Sequence, residues 1–190
     1  SFITQARSWL PDPIGGICWY GLYDNYSNAF MPLYLGMNAM PKSLTTGNPI
    51  EFDWDSSYWV FTLVANYAYG LYSHMIEDIQ QVQREIEHRA HTMVPAIDLA
   101  AMSLHETDPE IMKAYLTDFS VNFAEYAVDR WRELGHTLFV KYNDRYIRQT
   151  ETLKPWPESI GYPQDFLKRA VEARPGYYEV RQRKPGEPVD

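Results

Sequence analysis

The stretch GGICWYGLYDNYSNAFMPLYLG, residues 15–36, decides the fold of the first part of the chain. Two apolar and aromatic runs flank the turn-forming residues 24–27, which is the pattern of a β-hairpin. Upstream, the alternation in SFITQAR at residues 1–7 predicts a further strand. Pro32 indicates an edge position or a bulge, because proline cannot donate a hydrogen bond to a strand ladder. The sequence thus predicts sheet strands over residues 1–36.

Residues 53–148 carry a helical pattern. Residues 53–56 supply an N-cap, and apolar side chains then recur at helical spacing from Val60 to Ile86. We predict that this first helix runs to about residue 92. Pro95 is expected to end or kink it, and the following IDLAAMSL segment to resume it.

The tripeptide Asp108-Pro109-Glu110 predicts the start of a second long helix, since it combines a cap, an N1 proline and a first-turn acid. Two long helices joined by a short connection are expected to pack as an antiparallel pair. Proline-rich residues 149–190 predict a short helix from Pro163 to about Ala173 and a frayed tail.

The fold class predicted is therefore α+β, a few antiparallel strands followed by a long antiparallel helix pair. Three strands are too few for a self-sufficient sheet of the usual size. The helix pair would cover only one of its faces. We expect the strands to belong to a larger sheet that is completed by something outside this chain.

Composition excludes several classes of protein. The chain has 190 residues and a formal net charge of -8, which makes a poor binder of phosphate backbones and argues against nucleic acid as a partner. The single Cys18 excludes an internal disulfide framework and a cysteine-based zinc site. Residues 56–76 lack Asp, Glu, Lys and Arg, but acidic residues flank the run and its apolar phase continues into a charged helix. A buried helix is favoured over a membrane span.

Metal sites are weakly indicated. Glu85-x-x-His88, with His91 nearby, has the spacing of half a di-iron carboxylate motif. That architecture needs a second such motif and two further Glu residues in matching positions, so a solvated charged face is favoured. His74 and Asp78 are interpreted in the same way, as a helix-surface pair. No cofactor is predicted.

The sequence offers few nucleophiles. Cys18 lies among apolar residues of a predicted strand, where cysteine usually acts as a small buried hydrophobe. An N-terminal Ser1 could use its own amine as base, or could simply mark a cut point, and spacing does not decide between them. Arg7, at the end of the first predicted strand, could orient a carboxylate or an N-terminal nucleophile by a bidentate contact, or could be a surface residue.

Three long blocks carry a family resemblance. They are SFITQARSWLPDPIGGICWYGLYDNYSNAFMPLY, FDWDSSYWVFTLVANYAYGLYSHMIEDIQQVQREIE and YLTDFSVNFAEYAVDRWRELGHTLFVKYND, followed by GYPQDFLKRAVEARP near the end. In this order they resemble the C-terminal half of the bacterial dipeptidases of the N-terminal-nucleophile cysteine peptidase family. The resemblance covers nearly the whole chain and makes residues 1–190 the C-terminal portion of a single dipeptidase domain.

The resemblance implies a four-layer αββα sandwich and hydrolysis of unblocked dipeptides with broad specificity. It places the nucleophile, an N-terminal Cys, upstream of this chain, so that Ser1 becomes a cut point and Cys18 is not catalytic. Arg7 is the candidate for the arginine that related hydrolases place near the nucleophile. Asn25 and Asn28 are weaker candidates that could only support their turn.

The resemblance also implies partners. They are dipeptide substrates and the upstream half of the same enzyme. Separately, large aromatic helix faces indicate association with a second copy of the chain. The resemblance leaves localisation open between the bacterial cytoplasm and export. Two alternatives stay open: a non-enzymatic interaction module that docks a partner through Trp59, Tyr67 and Trp131, and a metal-binding helical bundle built on Glu85 and its histidines.

Overall fold

The structure is a computed structural model, and it describes residues 1–149 and 162–178. Strands β1 (Phe2–Ala6), β2 (Gly16–Tyr20) and β3 (Met31–Tyr34) are followed by three main helices. The three main helices are α3 (Ser57–Ala68), α4 (Tyr72–Thr107) and α5 (Pro109–Tyr142). The shorter helices are α1 (Asp12–Gly15), α2 (Lys42–Thr45), α6 (Gln164–Ala173) and α7 (Pro175–Tyr178). The predicted α+β class is confirmed. The short helix expected from Pro163 is present as α6, whereas the predicted frayed tail, residues 181–190, lies outside the described residues.

The three strands form one antiparallel sheet in the order β1-β2-β3. The predicted hairpin is confirmed, with Trp19 opposite Pro32. Pro32 lies on an edge strand of this sheet, so its missing N–H interrupts no ladder. The outer edge of β3 lies against α5, where the backbone N–H of Tyr34 donates to Ser120 Oγ at 3.1 Å. That edge is covered from within the chain.

Strand β1 forms the other edge. Ser1 and Gly21 exchange two backbone hydrogen bonds of 2.8 and 2.9 Å. Because hydrogen-bonded pairs alternate along an antiparallel ladder, the backbone groups of Phe2, Thr4 and Ala6 point away from β2. All five residues of β1 are exposed. Among residues 1–149 and 162–178, β1 has a strand neighbour on one side only.

The first long helix departs from the prediction. Helix α3 ends at Ala68, a 3₁₀ turn spans Tyr69–Leu71, and α4 begins at Tyr72. Leu71 has φ −144° and ψ 50°, a non-helical conformation that breaks the helix. Gly70 weakens the helix at this point, and its carbonyl accepts a hydrogen bond from Arg145 Nη1. The prediction of one helix from residue 56 to about residue 92 is wrong.

The break reverses the chain. Helix α3 runs in the same direction as α5, since Phe61 stacks on Trp131 and Tyr67 lies against Phe139. Helix α4 runs against α5, with Asp78 bound to Lys141 at 2.8 Å and Glu85 bound to Arg130 at 2.7 Å. The predicted antiparallel pair is therefore α4 and α5, and α3 adds a third long helix to the layer.

The start of α5 follows the predicted capping chemistry. The Asp108 carboxylate accepts hydrogen bonds from the backbone N–H groups of Glu110 at 3.0 Å and Ile111 at 3.2 Å. These bonds satisfy two donors at the helix N-terminus that have no intrahelical partner. Asp108 is the only residue between α4 and α5, so the last turn of α4 is joined directly to the first turn of α5.

The hydrophobic core lies between the sheet and the long helices. Its largest fully buried side chains include Trp131, Tyr34, Phe61, Met31 and Ile86. They come from β3, α3, α4 and α5, so the sheet and the helices share one core. None of the helices in residues 1–149 and 162–178 combines the length and apolarity needed to cross a membrane.

Helix α4 is 36 residues long and continues through Pro95. The expectation that Pro95 could end the helix is therefore wrong. Pro95 is exposed, while Val94, Ile97 and Ala101 are buried on the packed face. This packing offsets the missing N–H and the clash of the proline ring with the preceding turn.

Replacing Pro95 with Ala should restore the missing helical hydrogen bond. We expect the free energy of unfolding to rise by up to about 3 kcal/mol, the cost typical of proline inside a helix. Urea denaturation of the two proteins measures the difference. A less stable Pro95→Ala protein would show that the proline supports the packing of α4.

Candidate functional site

Arg7, the one catalytic candidate predicted from the sequence, lies just after β1 and is 8% exposed. Its guanidinium forms a bidentate contact with Asp98 of α4, in which Nη1 donates to Oδ2 and Nη2 donates to Oδ1 at 3.1 Å. Nη2 also donates to the carbonyl of Ile14 at 2.6 Å, and Nε to that of Gly15 at 3.3 Å. Four of the five N–H groups of the guanidinium are thus used inside the chain.

The local sequence builds this arrangement. Pro11 and the short helix α1 turn the chain back after Arg7, which brings the carbonyls of Ile14 and Gly15 to the guanidinium. The backbone N–H of Arg7 donates to Gly15 O at 3.0 Å. A Cβ at Gly15 would lie 2.8 Å from the Arg7 carbonyl oxygen, so only glycine allows the two segments to approach this closely.

Tyr34 of β3 completes the cluster. Its hydroxyl donates to Asp98 Oδ1 at 2.7 Å, and its ring lies 6.0 Å from the Arg7 guanidinium carbon. Burial raises the pKa of the Tyr34 hydroxyl well above its ordinary value, and the hydrogen bond to Asp98 raises it further. The cluster joins β1, β3 and α4 through one carboxylate.

A cavity of about 390 Å³ borders this cluster. It is lined by Ala6, Arg7, Ser8, Leu10, Asp12, Gly15 and Gly16. Arg7 makes the bidentate contact expected of it, but its partner is the Asp98 carboxylate of the same chain. Its predicted role towards a nucleophile stays a prediction.

Arg7 could be selected from the sequence because it is an arginine at the end of a predicted strand. Asp98 was not predicted, because it lies 91 positions away in a helical segment without any local mark of function. Tyr34 was identified only as a strand residue. Neither partner of Arg7 can be found from spacing in the sequence.

Cys18 is half-buried on β2. Burial raises the pKa of its thiol, which lowers the fraction of reactive thiolate at neutral pH. This environment is that of a packing cysteine. Ser1 lies at the start of β1, where its amine donates to the carbonyl of Gly21.

The two asparagines of the turn lie in different environments. Asn25 is exposed, whereas Asn28 is fully buried. The Asn28 carboxamide lies beside Ser1, with Nδ2 3.4 Å from Ser1 Oγ.

Three of the residues considered for a metal, Glu85, His91 and Asp78, contact other side chains. Glu85 binds Arg130 and accepts a hydrogen bond from Tyr126, and the contact with Arg130 lowers the pKa of its carboxyl. The His91 ring lies 4.8 Å from that of Trp19. Asp78 accepts hydrogen bonds from Lys141 and Tyr142. Within residues 1–149 and 162–178, no three His, Cys, Asp or Glu side chains converge to hold a metal ion.

Of the aromatic residues proposed for docking a partner, Trp131 is packed inside, whereas Trp59 and Tyr67 are half-buried. Trp131 is fully buried and stacks on Phe61 with ring centroids 4.8 Å apart. Trp59 donates through its ring N–H to Asn48 O at 2.9 Å. Trp131 is therefore not available to a partner, which corrects that part of the interaction-module interpretation.

Comparison with known proteins finds a family to which the first part of the chain is similar. Residues 1–85 match the model of Peptidase family C69. The match confirms the resemblance to a peptidase family over these residues. No curated protein matches the chain. The matched residues include the whole sheet, Arg7, Tyr34 and helix α3, while Asp98 and α5 lie beyond them. Residues 1–85 are thus similar to a peptidase family, which supports a hydrolase as the class for that part of the chain.

Replacing Asp98 with Asn should leave the buried Arg7 charge without its counter-ion. We expect the free energy of unfolding to fall by about 3–5 kcal/mol, as for a broken buried pair. Glu85→Gln is the matched control, because the Arg130–Glu85 pair is 29% and 46% exposed and should cost no more than about 1 kcal/mol. Urea denaturation measures both, and equal losses would contradict a special role for the Arg7 cluster.

The raised pKa of Tyr34 predicts a loss of stability in alkali. The folded state holds the Tyr34 proton more tightly than the unfolded state, where the pKa is about 10. The contribution of Tyr34 to the free energy of unfolding is thus fully present below pH 10 and is lost as pH rises further. Tyr34→Phe should show a weaker dependence of the free energy of unfolding on pH between about 9 and 11. Tyr26→Phe, at an exposed position, should match the unchanged protein. An unchanged slope in Tyr34→Phe would contradict the prediction.

Proposed function

We propose that this chain is the C-terminal part of a cysteine dipeptidase, and that the nucleophile is a cysteine upstream of Ser1 which becomes the N-terminus of the mature enzyme. The observation that carries the proposal is the match of residues 1–85 to a peptidase family. The substrates proposed are unblocked dipeptides with varied side chains. Residues 1–190 are proposed as one portion of a single domain in a bacterial enzyme.

The open edge of β1 supports an upstream half. Its five residues are exposed, and the backbone groups of Phe2, Thr4 and Ala6 are oriented for pairing with a further strand. Natural proteins rarely leave such an edge uncovered, since it pairs with other chains. A strand from the upstream half would complete the sheet. Association of two copies of the assembled enzyme is part of the same proposal.

The state of Cys18 also supports a nucleophile elsewhere. The thiol is half-buried with a raised pKa, whereas a nucleophilic cysteine needs an accessible, electropositive setting. In the proposed mechanism, the α-amine of the upstream cysteine accepts the thiol proton, directly or through a water. The thiolate attacks the peptide carbonyl, and the amine leaving group departs with a proton. Water then hydrolyses the thioester and regenerates the thiol.

Arg7 has a positioning role in this proposal. Its guanidinium is bound to Asp98 and to the carbonyls of Ile14 and Gly15, which fixes the end of β1 against α4. The end of β1 in turn borders the cavity lined by Ala6 and Ser8. Arg7 therefore acts through the placement of the strand.

Dipeptide hydrolysis by the gene product with its upstream half restored tests the proposal. We expect turnover of several unblocked dipeptides, and loss of turnover after thiol alkylation. Cys18→Ser is the matched control, and it should keep both the activity and its sensitivity to alkylation. Absence of hydrolysis by the folded, processed protein would contradict the proposal, and so would loss of activity in Cys18→Ser. Absence of hydrolysis would favour a non-catalytic role, whereas loss of activity in Cys18→Ser would indicate that Cys18 is itself needed for the reaction.

A further inference from the structure

A groove of about 290 Å³ lies between α4 and α5. Its floor is apolar and comes from both helices, with Met93 and Ile97 on α4 and Phe119 and Phe123 on α5. Ile97, Phe119 and Phe123 are buried, so the groove reaches down to the core. A concave site with an apolar lining and a few polar groups is the usual form of a small-molecule site. All the residues that line this groove lie within residues 89–126.

Arg89 carries a positive charge at one end of the groove. Its guanidinium carbon lies 4.3 Å from the centre of the Tyr126 ring, and this contact holds the side chain beside the groove. Glu85, one turn before Arg89 on α4, binds Arg130 instead, at 2.7 Å. Arg89 forms no ion pair with another described residue. Its guanidinium is therefore available for the bidentate binding of a carboxylate.

Asp118 and Asn122 lie at the other end of the groove, one turn apart on α5. Both side chains are exposed, and neither forms a hydrogen bond or an ion pair with another described residue. A carboxylate accepts hydrogen bonds and an ammonium group donates them, so Asp118 fits a cationic amine, with Asn122 Oδ1 as a second acceptor. The groove thus offers a positive charge at one end and a negative charge at the other.

The separation of the two charges indicates the size of the ligand. Tyr126, which holds Arg89, and Asp118 are eight residues apart on α5, a rise of about 12 Å. An extended dipeptide has its ammonium and carboxylate groups about 7 Å apart, at about 3.3 Å for each residue, and the Arg89 and Asp118 side chains span the rest. The two charges of a single amino acid are too close together to reach both ends. A volume of about 290 Å³ is at the small end for ligand pockets, which disfavours longer peptides.

We infer that the groove between α4 and α5 binds a zwitterionic dipeptide with apolar side chains. The carboxylate of the ligand binds Arg89, its ammonium group binds Asp118, and its side chains pack on Phe119 and Phe123. The inference goes beyond the proposed function, because binding in this groove needs neither a nucleophile nor a residue outside the described part of the chain.

Titration with the dipeptide Leu-Phe, followed by NMR of the methionine methyl groups, tests the inference. The protein is the gene product with its upstream half restored, as in the peptidase assay, and alkylation of its thiols prevents hydrolysis of the probe. Met93 lines the groove, so its methyl signal should shift on binding, whereas that of Met31, buried in the sheet, should stay unchanged. Absence of a Met93 shift would overturn the inference.

Variants at the two ends of the groove show whether the charges bind the ligand. Arg89→Gln and Asp118→Asn should each raise the Kd of Leu-Phe by about tenfold, because each removes one charged partner. N-acetyl-Leu-Phe should lose as much affinity for the unchanged protein and lose nothing further for Asp118→Asn. Leu-Phe amide should behave in the same way towards Arg89→Gln.

Arg84→Gln and Asp55→Asn are the matched controls, since both residues are exposed and lie outside the groove. Neither control should change the Kd. Equal binding of Leu-Phe and of the doubly blocked N-acetyl-Leu-Phe amide would overturn the inference. The peptidase assay is independent of this titration. Hydrolysis of dipeptides without a Met93 shift would contradict the groove alone, and a Met93 shift without hydrolysis by the unalkylated protein would contradict the proposed function alone.

Discussion

The buried ion pair between Arg7 and Asp98 fixes how the sheet sits on the helices. It joins the end of β1 to the middle of α4, and Tyr34 of β3 binds the same carboxylate. A buried pair of this kind adds little stability compared with well-packed apolar residues, because both charges lose their water. It does constrain the geometry, however, because either charge buried without the other would lower the free energy of unfolding. The pair therefore favours one register between the strand and the helix.

The two edges of the sheet differ in whether their backbone groups are covered. The edge of β3 is closed from within, by Pro32, which has no N–H to offer, and by Ser120, which accepts from Tyr34. The edge of β1 is open along its whole length in the described part of the chain. An open edge of five exposed residues favours pairing with other strands. The same asymmetry that protects one side of the sheet thus directs any added strand to β1.

Local features could be predicted from the sequence because their causes are local. The hairpin follows from the turn at residues 24–27, and the start of α5 from the Asp108 cap and the proline after it. The reversal at Tyr69–Leu71 could not, since the apolar spacing continues through it and one glycine is a weak signal. Arg7 could be selected by residue type and position. Its binding to Asp98 could not, because a contact across 91 residues leaves no trace in spacing.

The family match ends at residue 85, yet the matched residues do not form a complete packing unit. Arg7 needs the carboxylate of Asp98, the N–H of Tyr34 needs Ser120, and Phe61 stacks on Trp131. All three partners lie beyond the match, in α4 and α5. Without them, a buried guanidinium, a backbone N–H and an aromatic face would be exposed or unpaired. These contacts support our proposal that the long helices belong to the same domain as the sheet.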